Sequence, residues 1–212
     1  MSFCAWCEVR ACRDQDEEKR PRSCPQREGK WLDRALQKYE DPGNRAMAQI
    51  AAHIEKAGYC EWTRLQEITE FCRAAGFKRL GLVFCSGLHS EARVVADYYR
   101  KSGLEVISGM CKIGNVDKGD VGIACKDRFN PDSFEAMCNP IGQAELMNEK
   151  QTEFNVVLGL CVGHDSLFFR HSDAPVTVLA AKDRVLGHNP LAAVYQAGSY
   201  YRKLHAPEPE KD

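Results

Sequence analysis

No run of apolar residues in the 212-residue chain approaches the length of a membrane span, so no membrane partner is expected. Charge of one sign is also missing. The formal net charge is −1, which offers neither a basic surface for nucleic acid nor an acidic tail. The opening residues Met1 to Glu8 lack a basic stretch followed by an apolar one, so no export signal is expected and the predicted compartment is the cytoplasm. Internal repeats and low-complexity tracts are absent, and no histidine precedes His53.

Hydrophobic residues, at 44% beside 28% charged, suffice for the core of a globular protein. Cysteine is the unusual component. Eleven thiols are too few for a small disulfide-stapled secreted domain, and an odd number leaves one unpaired. In a reducing compartment they serve packing, catalysis or metal ligation, and position has to decide which.

Residues 1–30 carry four cysteines, mixed charges and little periodicity, so they cannot order themselves by burial alone. Helical spacing begins at Trp31 and stops near Asp41-Pro-Gly43. Further helices are predicted from Asn44 to Ala57 and from about Glu61 to Ala75. From Lys78 the texture alternates. Strands at 80–84, 104–110, 154–160 and 175–180 are separated by helical stretches, with a possible short strand at 121–124 and a last helix opening at Asn189-Pro190. The reading is α/β: a parallel sheet with flanking helices, Rossmann-like or flavodoxin-like, preceded by a cysteine-rich helical amino-terminal portion. The expected division places the segment and helical cap at 1–77 and the α/β domain at 78–212.

Cys4, Cys7, Cys12 and Cys24 form Cys-x2-Cys-x4-Cys-x11-Cys. A Cys-x2-Cys turn aims two sulfurs the same way, as zinc and iron-sulfur sites both require, and two more thiols complete a four-sulfur set. The four are therefore predicted metal ligands, with zinc or an iron-sulfur cluster as the guest.

Cys85, Cys111 and Cys161 each stand just beyond an apolar run, and Cys138 stands just before the predicted helix start Asn139-Pro140. If the runs are parallel strands, these thiols meet at the carboxyl edge, where open α/β sheets place ligands. An iron-sulfur cluster, of the 4Fe-4S type, is the cofactor expected there. Cys125 could replace Cys138. His164 and His188 extend the group as residues that face a substrate or the cluster's outer shell, and Lys182, Asp183 and Arg184 approach the same edge. Cys72 continues a helical apolar stripe, and it is assigned to packing with Cys60.

A competing pattern is Gly159-Leu-Cys161-Val-Gly163, the cysteine form of a nucleophile elbow, with His164 or His188 as base. It leaves Cys85 and Cys111 idle. A zinc-stabilised binding module without catalysis is the other alternative.

The strings Cys138-Asn-Pro-Ile-Gly-Gln-Ala, Gly159-Leu-Cys-Val-Gly-His-Asp-Ser-Leu-Phe and Lys182-Asp-Arg-Val-Leu-Gly-His-Asn-Pro resemble the family known as domain of unknown function 1847. Cys4-Ala-Trp-Cys7 and Phe84-Cys-Ser-Gly-Leu88 extend the resemblance over nearly the whole chain. The resemblance implies a metal-binding protein without an assigned reaction. Redox, sulfur or Lewis-acid chemistry on a small molecule, or exchange with a redox partner protein, is the activity expected of such a centre.

Overall fold

The computed structural model describes residues 4–13 and 16–202. Two compact units divide the chain, Met1–Lys56 and Ala57–Asp212. The first begins with short 3-10 turns at Cys4–Trp6, Ala11–Arg13 and Pro25–Glu28, followed by α1 (Lys30–Lys38) and α2 (Pro42–Ala57). Side-chain donors to backbone oxygens tie the irregular stretch together: Arg27 Nε reaches Pro21 O at 3.0 Å, and Trp31 Nε1 reaches Pro25 O at 3.1 Å. Helix α2 starts earlier than its apolar spacing predicts. Asp41 accepts from Asn44 N at 2.9 Å as the cap, and Pro42 takes the first helical position, where its missing N–H costs nothing.

The second unit opens with α3 (Arg64–Ala75), whose ends follow from its sequence. Thr63 and Gln66 exchange the two bonds of a capping box, and Gly76 adopts the left-handed conformation that stops the helix. Strands and helices then alternate: β1 (Arg79–Phe84), α4 (His89–Lys101), β2 (Glu105–Met110), α5 (Pro140–Glu149), β3 (Phe154–Leu158), α6 (His164–His171), β4 (Val176–Ala180) and α7 (Leu191–Tyr195). All strand pairings are parallel, in the order β2-β1-β3-β4. This is the flavodoxin-like order, in which the chain reverses direction across the sheet between β1 and β3.

Strands β1 and β3 are nearly continuous apolar runs because both of their faces are covered. On one face Leu80, Leu82, Phe84, Val156 and Leu158 pack with Ile68 and Cys72 of α3 and Ala92 and Tyr99 of α4. On the other face Val83 and Val157 meet Ala144 and Met147 of α5 and Phe168 of α6. Gly81 has no room for a side chain. A Cβ there would sit 1.9 Å from Asn155 Oδ1, and Asn155 is itself fully buried and bonded to Thr152 Oγ1 and Ser172 Oγ, each at 2.8 Å.

Between β2 and α5 the chain makes a long excursion over residues 111–139. The strand expected at 121–124 does not form: Lys118–Val121 is a 3-10 turn closed by Gly122 at φ 78°, and the excursion's ladder contact is an isolated bridge from Asp117 to Ala136. Two carboxylates clamp its base. Asp117 accepts from Gly119 N at 2.6 Å, Glu135 N at 2.9 Å and Arg128 Nη1 at 3.3 Å, while Glu135 accepts from Lys118 Nζ at 2.6 Å and from Phe129 N at 2.8 Å.

Candidate thiolate site at the sheet edge

The parallel ladder runs one residue past β1 and β2. Cys85 N donates to Leu158 O at 3.2 Å and Cys111 N to Phe84 O at 2.9 Å, so these two cysteines occupy neighbouring positions at the carboxyl edge. Strand β3 stops at Leu158, two residues before the predicted end, because Gly159 turns at φ 64° and donates to Ala180 O at 2.7 Å. Cys161 therefore sits in the β3–α6 turn. Its carbonyl accepts from His164 N at 2.9 Å and Asp165 N at 3.1 Å and opens α6.

Cys138 comes to the same edge from the far end of the excursion. Asn139 N donates to Cys111 O at 2.7 Å, and Asn139 Oδ1 caps α5 by accepting from Gly142 N at 2.9 Å. Gln143, fully buried one turn into α5, ties both strand tips together. Its Nε2 donates to Gly109 O at 2.7 Å and to Phe84 O at 3.3 Å, while its Oε1 has no hydrogen-bond partner. Cys85, Cys111 and Cys138 thus share one packed cluster with α5 and α6.

Donors and cations surround the sulfurs. Ser86 N–H points at Cys111 Sγ at 3.2 Å, and Arg184 Nη2 at Cys161 Sγ at 3.1 Å. Bonding to Cys161 pushes the Arg184 pKa up, and the fields of Cys85 and Cys138 add to it, so one guanidinium addresses three of the four thiols. The neighbouring Cys138 thiol, then burial, pushes the Cys111 pKa up, while Cys111, with the Lys112 charge, lowers Cys138 from 9.0 to about 6 against burial and the field of Cys161.

The two histidines take different places. His164 opens α6; burial first, then the charge of Lys112, lowers its pKa and keeps the imidazole neutral. His188 is spent on the turn after β4. At φ 65° its Nδ1 accepts from Asp183 N at 3.1 Å and its own N donates to Asp183 O at 2.8 Å, while Asp183 Oδ1 accepts from Val185 N and Leu186 N at 2.9 Å each. This knot presents Arg184 to Cys161.

In the first unit Cys4, Cys7, Cys12 and Cys24 all line one cavity of about 350 Å³, together with Trp6, Pro21 and Pro25. The Cys4–Cys7 turn is closed by Cys7 N donating to Cys4 O at 3.2 Å. Among the described residues, no three or more histidine, cysteine, aspartate or glutamate side chains stand arranged around a single metal ion. Cys72 is fully buried, and burial pushes its thiol up to about 12, as packing requires. Cys60 is exposed, at φ 59°, so its assignment to packing was wrong: it follows the helix end into a left-handed turn at the surface. Cys125 is exposed in the excursion.

Ser86, Lys112 and Gln143 escaped sequence reading. Gln143 left one trace, a polar residue beside Ala144 and Met147 on the buried side of its helix. A backbone donor such as Ser86 N–H leaves none.

Residues 24–179 match the family model described as "Protein of unknown function (DUF1847)". The matched span contains Cys24, Cys85, Cys111, Cys138, Cys161 and His164. A protein of Methanocaldococcus jannaschii, described as uncharacterized, is 43% identical over 168 residues, covering 79% of this chain and 84% of its own.

Proposed function

This chain belongs to the DUF1847 family, and from the thiols at its sheet edge we propose that it is a metalloprotein holding an iron-sulfur cluster on Cys85, Cys111, Cys138 and Cys161. The observation that carries the reading is the arrival of four cysteines from four separate segments at one carboxyl edge, beside the β1/β3 reversal where such sheets bind ligands. The donor set is all sulfur, which suits zinc and iron-sulfur clusters alike. One feature favours a cluster. N–H donors aimed at ligand sulfurs, here Ser86 N–H and Arg184, are the contacts that tune cluster potentials.

When bound, the cluster supplies one-electron chemistry. The chain's own groups do the rest: Arg184 and Lys112 balance thiolate charge, Gln143 fixes the spacing of the β1 and β2 tips, and neutral His164 offers a hydrogen bond at the mouth. The elbow reading of Cys161 gives no role to Cys85, Cys111 and Cys138, and of its two candidate bases His188 has its Nδ1 committed to Asp183 N. The amino-terminal cavity, with four cysteines on its wall, is proposed to hold a second, structural metal.

Anaerobic purification followed by iron, zinc and acid-labile sulfide analysis tests this. We expect a brown protein whose sulfide is lost in Cys85→Ser and kept in Cys4→Ser. Metal content unchanged by both substitutions would overturn the two-site reading.

A further inference from the structure

We propose that Cys111 and Cys138 are a disulfide-forming pair in the metal-free chain, so that oxidation withdraws two ligands from the sheet edge. The backbone has brought the two residues side by side, with Asn139 N donating to Cys111 O at 2.7 Å. Both belong to the cluster packed by α5, whose cap at Asn139 holds Cys138 at the helix mouth. Their access differs usefully. Cys111 is 2% exposed, whereas Cys138 is only half-buried, so an oxidant in solution meets Cys138 first and Cys111 waits behind it.

A small-molecule disulfide of the glutathione type supplies the oxidant. The Cys138 sulfur attacks one sulfur of that disulfide, forming a mixed disulfide and releasing one small thiol. The Cys111 sulfur, its proton passing to solvent, then attacks Cys138 Sγ, and the second small thiol leaves with that bond's electron pair. Two protein thiols have lost two electrons and two protons, and one disulfide has become two thiols.

The cross-link stands on geometry alone; its consequence for loading rests on the cluster reading, and the experiment separates them. Full-length protein, reduced and freed of metal, is treated with glutathione disulfide, digested with trypsin without reduction and mapped by mass spectrometry. Cys111 and Cys138 fall in the tryptic peptides 102–112 and 129–150, each with a single cysteine, so the assignment is unambiguous. The expected product joins these two peptides, lighter by two hydrogens, with no such product in Cys138→Ser and full yield in Cys125→Ser. Circular dichroism of the variants checks that they fold. Cys111 remaining free, or Cys138 joined instead to Cys85 or Cys161, would overturn the pair. In parallel, reduced and oxidised samples are given iron and sulfide: uptake by the reduced form only is expected. Equal uptake by both overturns the gating, and a cross-link without uptake in either form overturns the cluster and leaves the disulfide standing.

Discussion

Single side chains set the two ends of the sheet. At the amino ends of the strands, Glu153 accepts from Lys78 N at 2.6 Å and Arg79 N at 2.8 Å, and these bonds, that of Arg79 foremost, hold its carboxyl below the usual range. A folded-state pKa below the unfolded one means stability that is present above the unfolded carboxylate pKa and lost as pH falls through the folded value. Glu153→Gln should therefore be less stable than the parent by about 1 kcal/mol at neutral pH, an amount reduced by exposure, and the gap should close in acid. Chemical unfolding at a series of pH values from neutral to acid reads this directly; a gap that persists at the acid end would contradict it. In the core, Gly81→Ala forces a methyl into Asn155 and Met147, and should cost roughly 1–3 kcal/mol in the same assay. Sequence made the thiol positions legible because a cysteine after an apolar strand is countable. It hid Gln143 and Ser86, whose contributions depend on which strand tips lie next to each other in space.

At the scale of elements, caps and periodicity carried most of the information. Thr63, Gln66 and Gly76 mark both ends of α3, and Asn139-Pro140 marks the start of α5. Thr63→Ala removes one arm of its box and should lower stability by about 1 kcal/mol, seen as a lower thermal midpoint, since α3 buries Ile68 and Cys72 against the sheet. Asn139→Ala has a second effect. It removes the side-chain oxygen that accepts from Gly142 N and the side-chain nitrogen that donates to Ile113 O, so α5 loses its cap where Cys138 is presented. We expect a similar loss of stability together with reduced iron uptake, whereas Thr63→Ala should leave uptake unchanged. The elements that sequence misjudged are those decided by side-chain capture of backbone. The alternation at 121–124 reads as a strand until Asp117 takes Gly119 N and Gly122 turns left-handed. The run through Leu160 reads as one strand until Gly159 takes a positive φ and moves Cys161 into the turn.

For the molecule as a whole, the two sets of four cysteines fall in different units, one on each side of residue 56. The metals proposed for them should accordingly behave independently: a chelator that strips the proposed amino-terminal site should cost that segment its structure, because so little of it is buried, while visible absorbance from the proposed sheet-edge cluster persists. Simultaneous loss of both signals would argue against separate sites. The overall topology was readable because alternating strand and helix leaves few arrangements of a parallel sheet. The order of the strands was not, since no single residue encodes which neighbour a strand chooses.

The clamped base of the excursion has a consequence for how the polypeptide tolerates change. Asp117 and Glu135 fasten the stretch at its two feet, next to the points where Cys111 leaves and Cys138 returns. Whatever lies at the tip is then decoupled from the placement of either sulfur, and lengthening it costs only the slowly growing entropy of a longer loop, about 0.6 kcal/mol per doubling. A handful of glycines and serines spliced in at Asn130–Ser133 should leave iron content untouched, which makes this tip the natural place to graft a tag, a reporter or a new recognition surface.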